Sequence, residues 1–214
     1  MKERPLYISK ITPFIDKPIV KVITGIRRSG KSALLMLLKD YFINKGSSAE
    51  NIIYINFESM EYADIDSAKS LYSYVVEHKP SNGKCYILLD EIQNVKDWER
   101  AVNSFQVDID CDIYITGSNS HLLSSELSTL LAGRYVEFII ETLSFKEYLS
   151  FLDSDIIDVY KEFNNYLRLG GFPVIHAHNY DADSAYKIIN DIYSSVILRD
   201  TIQRHNIRNV DQLE

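Results

Sequence analysis

The chain has 214 residues, 46% hydrophobic and 25% charged, the composition of an ordinary globular protein with length for one large domain or one domain and a small appendage. A formal net charge of −7 excludes a globally basic nucleic-acid binder while leaving room for a local basic patch. The longest apolar runs are strand-length, so no helical membrane span is expected. "MKERPLYISK" lacks the apolar core of a secretion signal, and Cys85 and Cys111 show no CxxC spacing, as buried small hydrophobes of the reducing cytoplasm would.

In chain order, residues 6–15 have apolar side chains in no clean register, and Pro5, Pro13 and Pro18 point to a broken lead-in. "IVKVIT" (19–24) reads as a strand. "SALLMLLKDYFINKG" (32–46) carries Leu34, Leu35, Leu38 and Phe42 at helical spacing, with Gly46 as a C-terminal stop. "NIIYINF" (51–57) is a β-rich run, residues 66–79 form a helix ended by Pro80, and "PSNG" (80–83) is a turn. "KCYILLD" (84–90) and "CDIYITG" (111–117) are strands apolar enough to be buried on both faces. Helices are predicted over 97–105 and 120–133, and a strand over 134–140.

Five alternations of strand and helix predict a parallel α/β sheet covered on both faces. Beyond residue 142 the texture becomes helical. Ser144 and Glu147 form a capping box. Helices are expected over 144–152, over 155–169 up to Gly170-Gly171-Phe172-Pro173, and over 183–205. The expected organisation is therefore a core over 1–142 and a helical domain over 143–214.

Gly25-Ile26-Arg27-Arg28-Ser29-Gly30-Lys31-Ser32 fits G-x-x-x-x-G-K-[ST] at every fixed position, between a predicted strand and a predicted helix. Glycines let the backbone curl so that successive N–H groups point at phosphate oxygens. The helix aims its positive end at the same anion. Lys31 is then placed to reach the β- and γ-phosphates and Ser32 to offer a hydroxyl to Mg²⁺. The expected nucleotide-binding set runs from Gly25 through Ala33. The competing reading is a basic turn, and Arg27 and Arg28 could touch nucleotide, a neighbouring subunit or an acidic partner, or be solvated.

"CYILLDEIQNV" (85–95) puts two carboxylates at the C-terminal tip of a buried strand, where ligands lie in open α/β sheets. Asp90 would hold Mg²⁺ through its water shell, together with Ser32. Glu91 is placed to polarise a water for in-line attack on the γ-phosphorus. The alternative is a strand-terminal acidic turn. At the end of "IYITGSNS" (113–120), Ser118 or Asn119 could bond the γ-phosphate or the water, or Ser118 and Ser120 could simply cap a helix.

"ITGIRRSGKS", "CYILLDEIQNVKDWE", "IYITGSNSHLLS", "LAGRYVEF", "LSFKEYL" and "YLRLGGFP" together resemble the AAA+-superfamily P-loop ATPases of prokaryotes, in the STAND-like branch. The resemblance covers roughly residues 18–210. It implies a sheet in the order 5-1-4-3-2 followed by a helical lid, ATP as the nucleotide, Glu91 as the catalytic glutamate, and Asn119 or Ser118 as a sensor. Arg134, just before the fifth strand, falls where relatives project an arginine finger to a neighbouring subunit's nucleotide; a structural or intramolecular ion pair is the other reading. Arg199 or Arg204 would be a second sensor, or a solvated helix face. Such proteins usually continue into a winged-helix segment, and "NVDQLE" reads as a helix just beginning, as in a fragment of something longer, with a frayed tail as the alternative.

The resulting expectation is a Mg²⁺-dependent ATPase giving ADP and phosphate, with Glu91, Lys31, Asn119 and Arg134 as catalytic residues, Ser32 and Asp90 as metal ligands, and the lid moving as the γ-phosphate is lost. Its rivals are a nucleotide switch with negligible hydrolysis, a small-molecule kinase, and a part of a DNA-associated protein. Self-association or a protein partner fits any of these. His176 and His178 form an H-x-H without a third ligand and are set aside as a metal site. The 15 tyrosines and Trp98 are read as packing residues rather than base platforms.

Overall fold

The computed structural model describes residues 2–117, 131, 133–152, 158–178 and 180–196. The chain divides into two compact units. The first is formed by Glu3–Gly25 and Lys31–Ile140, the second by Glu141–Glu214 with Ile26–Gly30.

In the first unit, β1 (Val20–Thr24), β2 (Ile52–Asn56), β3 (Cys85–Asp90), β4 (Cys111–Thr116) and β5 (Tyr135–Ile139) form one sheet in the order β2-β3-β4-β1-β5. Every pairing is parallel. This is the expected order read from the other edge. Side chains alternate between the two faces, and each face builds its own core. Val20, Val22, Ile53, Ile55, Ile87, Leu89, Ile113 and Ile115 point to one side. There α3 (Ala68–His78) adds Leu71 and Val75, and α4 (Trp98–Asp108) adds Trp98, Ala101, Val102 and Phe105. Ile23, Leu88 and Tyr114 point to the other side, under α1 (Pro5–Ile11) and α2 (Lys31–Asn44), which bury Tyr7, Ile11, Leu34, Leu35, Leu38 and Phe42. Each fully buried Leu, Ile or Phe contributes about 1.5–3 kcal/mol of apolar transfer, so the second cluster holds α2 against the sheet.

Residues 6–11 are helical rather than a broken lead-in, and the expected break comes at the 3-10 turn Thr12–Phe14 around Pro13. Pro5 occupies the first turn of α1, where its missing N–H has no intrahelical partner to lose and its fixed φ suits the helix. The other helix limits follow local chemistry. Ser67 and Ser70 form a capping box for α3. The chain leaves α2 at Gly46, whose φ is +98°, with the Ser47 N–H donating to the Phe42 carbonyl at 3.0 Å. Helix α4 runs on to Asp108, three residues past the expected limit.

The α2-facing side of the sheet also buries charge. Lys21 on β1 and Asp112 on β4 form an ion pair with both side chains fully buried. Lys21 Nζ also donates to the Lys17 carbonyl at 3.0 Å, and Asp112 Oδ2 accepts from Asp16 N–H and from Tyr114 O–H, each at 2.8 Å. Burial drives the Lys21 pKa down, against the pull of Asp112. This network ties the residues entering β1 to the start of β4.

The second unit is helical: α5 (Phe145–Phe151), α6 (Val159–Leu169), α7 (Pro173–Ala177) and α8 (Ala182–Val196). Ser144 and Glu147 cap α5 reciprocally, and Asp158 caps α6 through two backbone N–H groups. Leu143, Tyr148 and Phe151 are buried together. The Leu143 backbone donates to the Gly171 carbonyl at 2.6 Å and accepts from Tyr166 O–H at 2.7 Å. The expected stop at Pro173 begins the short helix α7, again with proline in the first turn. His176 is buried and donates Nε2–H to the Gly170 carbonyl at 2.7 Å, and burial lowers its pKa. The expected helix over 120–133, residues 155–157 and the region beyond 196 lie outside the described residues, apart from positions 131 and 133. Among the described residues, no helix is long and apolar enough to cross a membrane.

Candidate functional site

All five strands are parallel, so their C-terminal ends share one edge of the sheet. The chain leaves β1 there at Gly25, and α2 begins there at Lys31. Gly25 and Gly30 have φ values of +148° and +101°, backbone conformations a side chain disfavours. Between them Arg28 is left-handed at φ +66°, and Ser29 N–H closes a turn onto the Ile26 carbonyl at 3.1 Å. Alternating backbone handedness of this kind turns successive N–H groups toward one side.

Lys31 opens α2 with 4% of its surface exposed. Its Nζ donates to the Gly25 carbonyl at 3.2 Å and lies 3.7 Å from Glu91 Oε1. Ser32, one residue on, lies near enough to Asp90 for its hydroxyl to favour the ionised carboxylate, and Ala33 follows in the first turn. Asp90, the last residue of β3, is fully buried. Its Oδ1 accepts from Thr116 O–H, and its Oδ2 from Tyr54 O–H at 3.3 Å. Burial raises the Asp90 pKa, while the bonds from Thr116 and Ser32 pull it down. Tyr54 is pushed up to about 12, by burial first and then by the Asp90 charge. Asp90 is thus a desolvated carboxylate whose near neighbours are neutral donors, with a serine hydroxyl beside it. Hard divalent cations take such all-oxygen sites and favour the ionised form that burial opposes.

Glu91 begins the turn after β3 in the left-handed region, with φ 55° and ψ 51°. That costs a non-glycine residue roughly 1–2 kcal/mol, and such strain concentrates at functional positions. The turn is held by Glu91 N–H donating to Thr116 Oγ1 at 2.9 Å. Gln93 Nε2 donates to Glu91 Oε2.

The structure thus brings Gly25, Lys31, Asp90 and Glu91 together at the C-terminal edge of the sheet. Arg134 does not join them. It is exposed and sits immediately before β5, with its carbonyl accepting from Val20 N–H at 3.0 Å. It lies at the N-terminal edge of the sheet, a five-residue strand (about 15 Å) from the edge that carries Asp90. Among the described residues its guanidinium makes no ion pair. Ser118, Asn119, Arg199 and Arg204 lie outside the described residues.

Sequence reading missed Thr116, Tyr54 and Gln93. Thr116 was within reach of it: Asp112, Tyr114 and Thr116 share a face by period two, so a hydroxyl at the last strand position had to face α2 and the neighbouring β3 tip. Neither cysteine belongs to the site. Burial pushes Cys85 up to about 11 and Cys111 up to about 12, the behaviour of inert thiols.

A five-stranded parallel sheet in this order, with a glycine-rich turn, a lysine and a serine leading from β1 into the next helix, defines the P-loop NTPase fold. The chain belongs to the AAA-domain family, whose sequence pattern matches residues 17–149. An "Uncharacterized protein" of Haemophilus influenzae is 42% identical over 100% of this chain and 54% of its own length. Another, from Methanocaldococcus jannaschii, is 32% identical over 91% of this chain and 44% of its own. The chain thus spans about half the length of these curated relatives. Among solved structures, a DNA polymerase III gamma subunit-related protein of Thermotoga maritima superposes with a TM-score of 0.51 at 15% identity, covering 92% of this chain and 64% of that one, a likeness of fold alone. Fold and family together make this a nucleotide-binding domain of the ATPase type.

Proposed function

We propose that the site binds ATP with Mg²⁺ and hydrolyses it to ADP and phosphate, and that nucleotide state is transmitted through the helical residues beyond 142. The observation that carries this reading is the Lys31–Glu91 ion pair beside the fully buried Asp90, side chains from the start of α2 and the end of β3 meeting where phosphates would lie. Backbone N–H groups of residues 26–33 and the Lys31 ammonium bind and neutralise the phosphates. Ser32 and, through its water shell, Asp90 would hold a magnesium ion, which would supply charge withdrawal from the phosphate oxygens. Glu91 accepts a hydrogen bond from the attacking water and orients it in line. Arg134, remote from its own site, is available to the nucleotide of a second copy.

The Lys31–Glu91 contact also favours a second reading. While it lasts, each charge occupies the other, as in a switch that holds nucleotide without turning it over. Two measurements separate the readings. Calorimetry with Mg-ATP should register binding that Lys31→Ala abolishes. Phosphate release should fall at least 100-fold in Glu91→Gln, and equal near-zero rates in both proteins would leave only the switch.

A further inference from the structure

Two residues after Glu91, within the single 3-10 turn Ile92–Asn94, Gln93 reaches back to the glutamate. Its Nε2 lies 2.5 Å from Glu91 Oε2. The orientation of the amide follows from chemistry: a carboxylate only accepts, so the NH₂ end must face it. The cost falls on the other end, since Gln93 Oε1 is buried with no hydrogen-bond partner among the described residues. A buried acceptor left unpaired is unfavourable by about 1–3 kcal/mol. A side chain that accepts this in order to donate to one carboxylate is held by that carboxylate, not by a network of its own.

The remaining contacts divide Glu91 between three holders. Thr116 takes the backbone N–H, Lys31 lies against Oε1, and Gln93 grips Oε2. Phosphates arriving at Lys31 would remove one of the three. A glutamate side chain has three rotatable bonds, so without another restraint its carboxylate would then sample several rotamers. The Gln93 bond is on the oxygen that Lys31 does not use and survives the change. Oε1 is thereby left as the free acceptor, at a fixed place beside the phosphates.

We infer that Gln93 is a positioning residue, tethering the Glu91 carboxylate through Oε2 so that Oε1 is presented to the attacking water when nucleotide engages Lys31. The inference rests on the hydrolytic reading above, but the tether can be tested without turnover. The chain has four glutamines, Gln93, Gln106, Gln203 and Gln212. Protein labelled with ¹⁵N at glutamine alone therefore gives four side-chain amide pairs, and Gln93→Met identifies the one that matters. That pair should lie downfield of the others, exchange slowly with solvent, and move upfield in Glu91→Ala. A Gln93 signal indifferent to Glu91→Ala overturns the tether whatever the activity.

In turnover, Gln93→Met keeps length and volume but loses the bond, and should lower kcat at least 10-fold while KM for Mg-ATP and the melting temperature stay within two-fold and about 2 °C of wild type. In the Glu91→Gln background the same change should have no further effect on kcat, since residues acting as one unit are not additive. Wild-type turnover with unchanged kcat in Gln93→Met refutes the inference alone. Raised KM and lost stability in place of lowered kcat reassign Gln93 to a structural role and refute it equally. Absence of wild-type turnover with an intact tether signal refutes the hydrolytic reading, and with it the presentation of Oε1 to water.

Discussion

Replacing Thr116 by valine tests whether the Asp90 environment is organised as described. Threonine and valine are nearly isosteric, so packing at this fully buried position is preserved and the hydroxyl alone is lost. That hydroxyl makes two bonds. It donates to the buried Asp90 carboxylate, a charge-assisted bond worth about 1.5–3 kcal/mol, and it accepts from the Glu91 N–H, a donor whose loss of partner adds roughly 1 kcal/mol. The expected cost is about 3 kcal/mol near neutral pH. With m near 2 kcal/mol/M, the urea midpoint should fall by about 1.5 M. Trp98 is the sole tryptophan and is buried in the core beneath β3 and β4, so its fluorescence reports this unit's unfolding.

The effect should depend on pH. The folded-state pKa of Asp90 is raised above its unfolded value, so between the two values the folded protein holds more protons, and its stability rises as pH falls. Loss of the Thr116 donor raises that pKa further. The deficit of Thr116→Val is therefore largest above the folded pKa and shrinks toward pH 4. A deficit below about 0.5 kcal/mol, or one that does not shrink as pH falls through the folded pKa of Asp90, would refute the assignment of Thr116 as a donor to the Asp90 carboxylate.

Other consequences can be checked separately. Lys21→Met leaves Asp112 buried without its countercharge and should cost about 3–5 kcal/mol in urea unfolding, whereas Lys21→Met with Asp112→Leu should recover at least half of that. The folded pKa of His176 is lowered, so the unfolded chain takes the proton first and the helical unit loses stability as pH falls through about 6.5. Hydrogen exchange of the α5 and α6 amides should show that slope, and His176→Gln should flatten it. Arg134→Ala should leave Mg-ATP affinity unchanged in calorimetry on dilute protein, but lower turnover at concentrations where copies associate, as followed by light scattering.

The sheet was legible in the sequence because each strand is a short apolar run bounded by turn residues, and because a parallel interior strand needs no alternation to be recognised. The glycine-rich motif was legible because its fixed positions answer to backbone geometry, and Asp90 and Glu91 because they interrupt an apolar strand at its tip. Two kinds of feature were not. Helix α1 was hidden because Pro5 reads as a breaker unless its place in the helix is known, and only packing of Tyr7 and Ile11 under the sheet fixes that place. Gln93 and Tyr54 were hidden because their importance lies in which carboxylate oxygen each one meets, while the face of Thr116 was legible by period two but its partner was not. Tyr54 and Asp90 are 36 residues apart and Thr116 and Asp90 26 apart, so the meeting is set by strand order, which the hydropathy pattern does not encode.

That strand order also explains why two buried carboxylates fare differently. Asp112 and Thr116 stand on the same face of β4, one at each end, with the fully buried Tyr114 between them. At the N-terminal end the charge on Asp112 is matched by a lysine on β1, so the site is electrostatically complete and serves to fasten strands together. At the C-terminal end, among the described residues, Asp90 accepts from the hydroxyls of Thr116 and Tyr54. A desolvated carboxylate supported by hydroxyls stays short of the positive charge that would offset its burial. The same sheet face therefore pairs its buried carboxylate with a lysine at the structural end, and surrounds the one at the other end with hydroxyl donors.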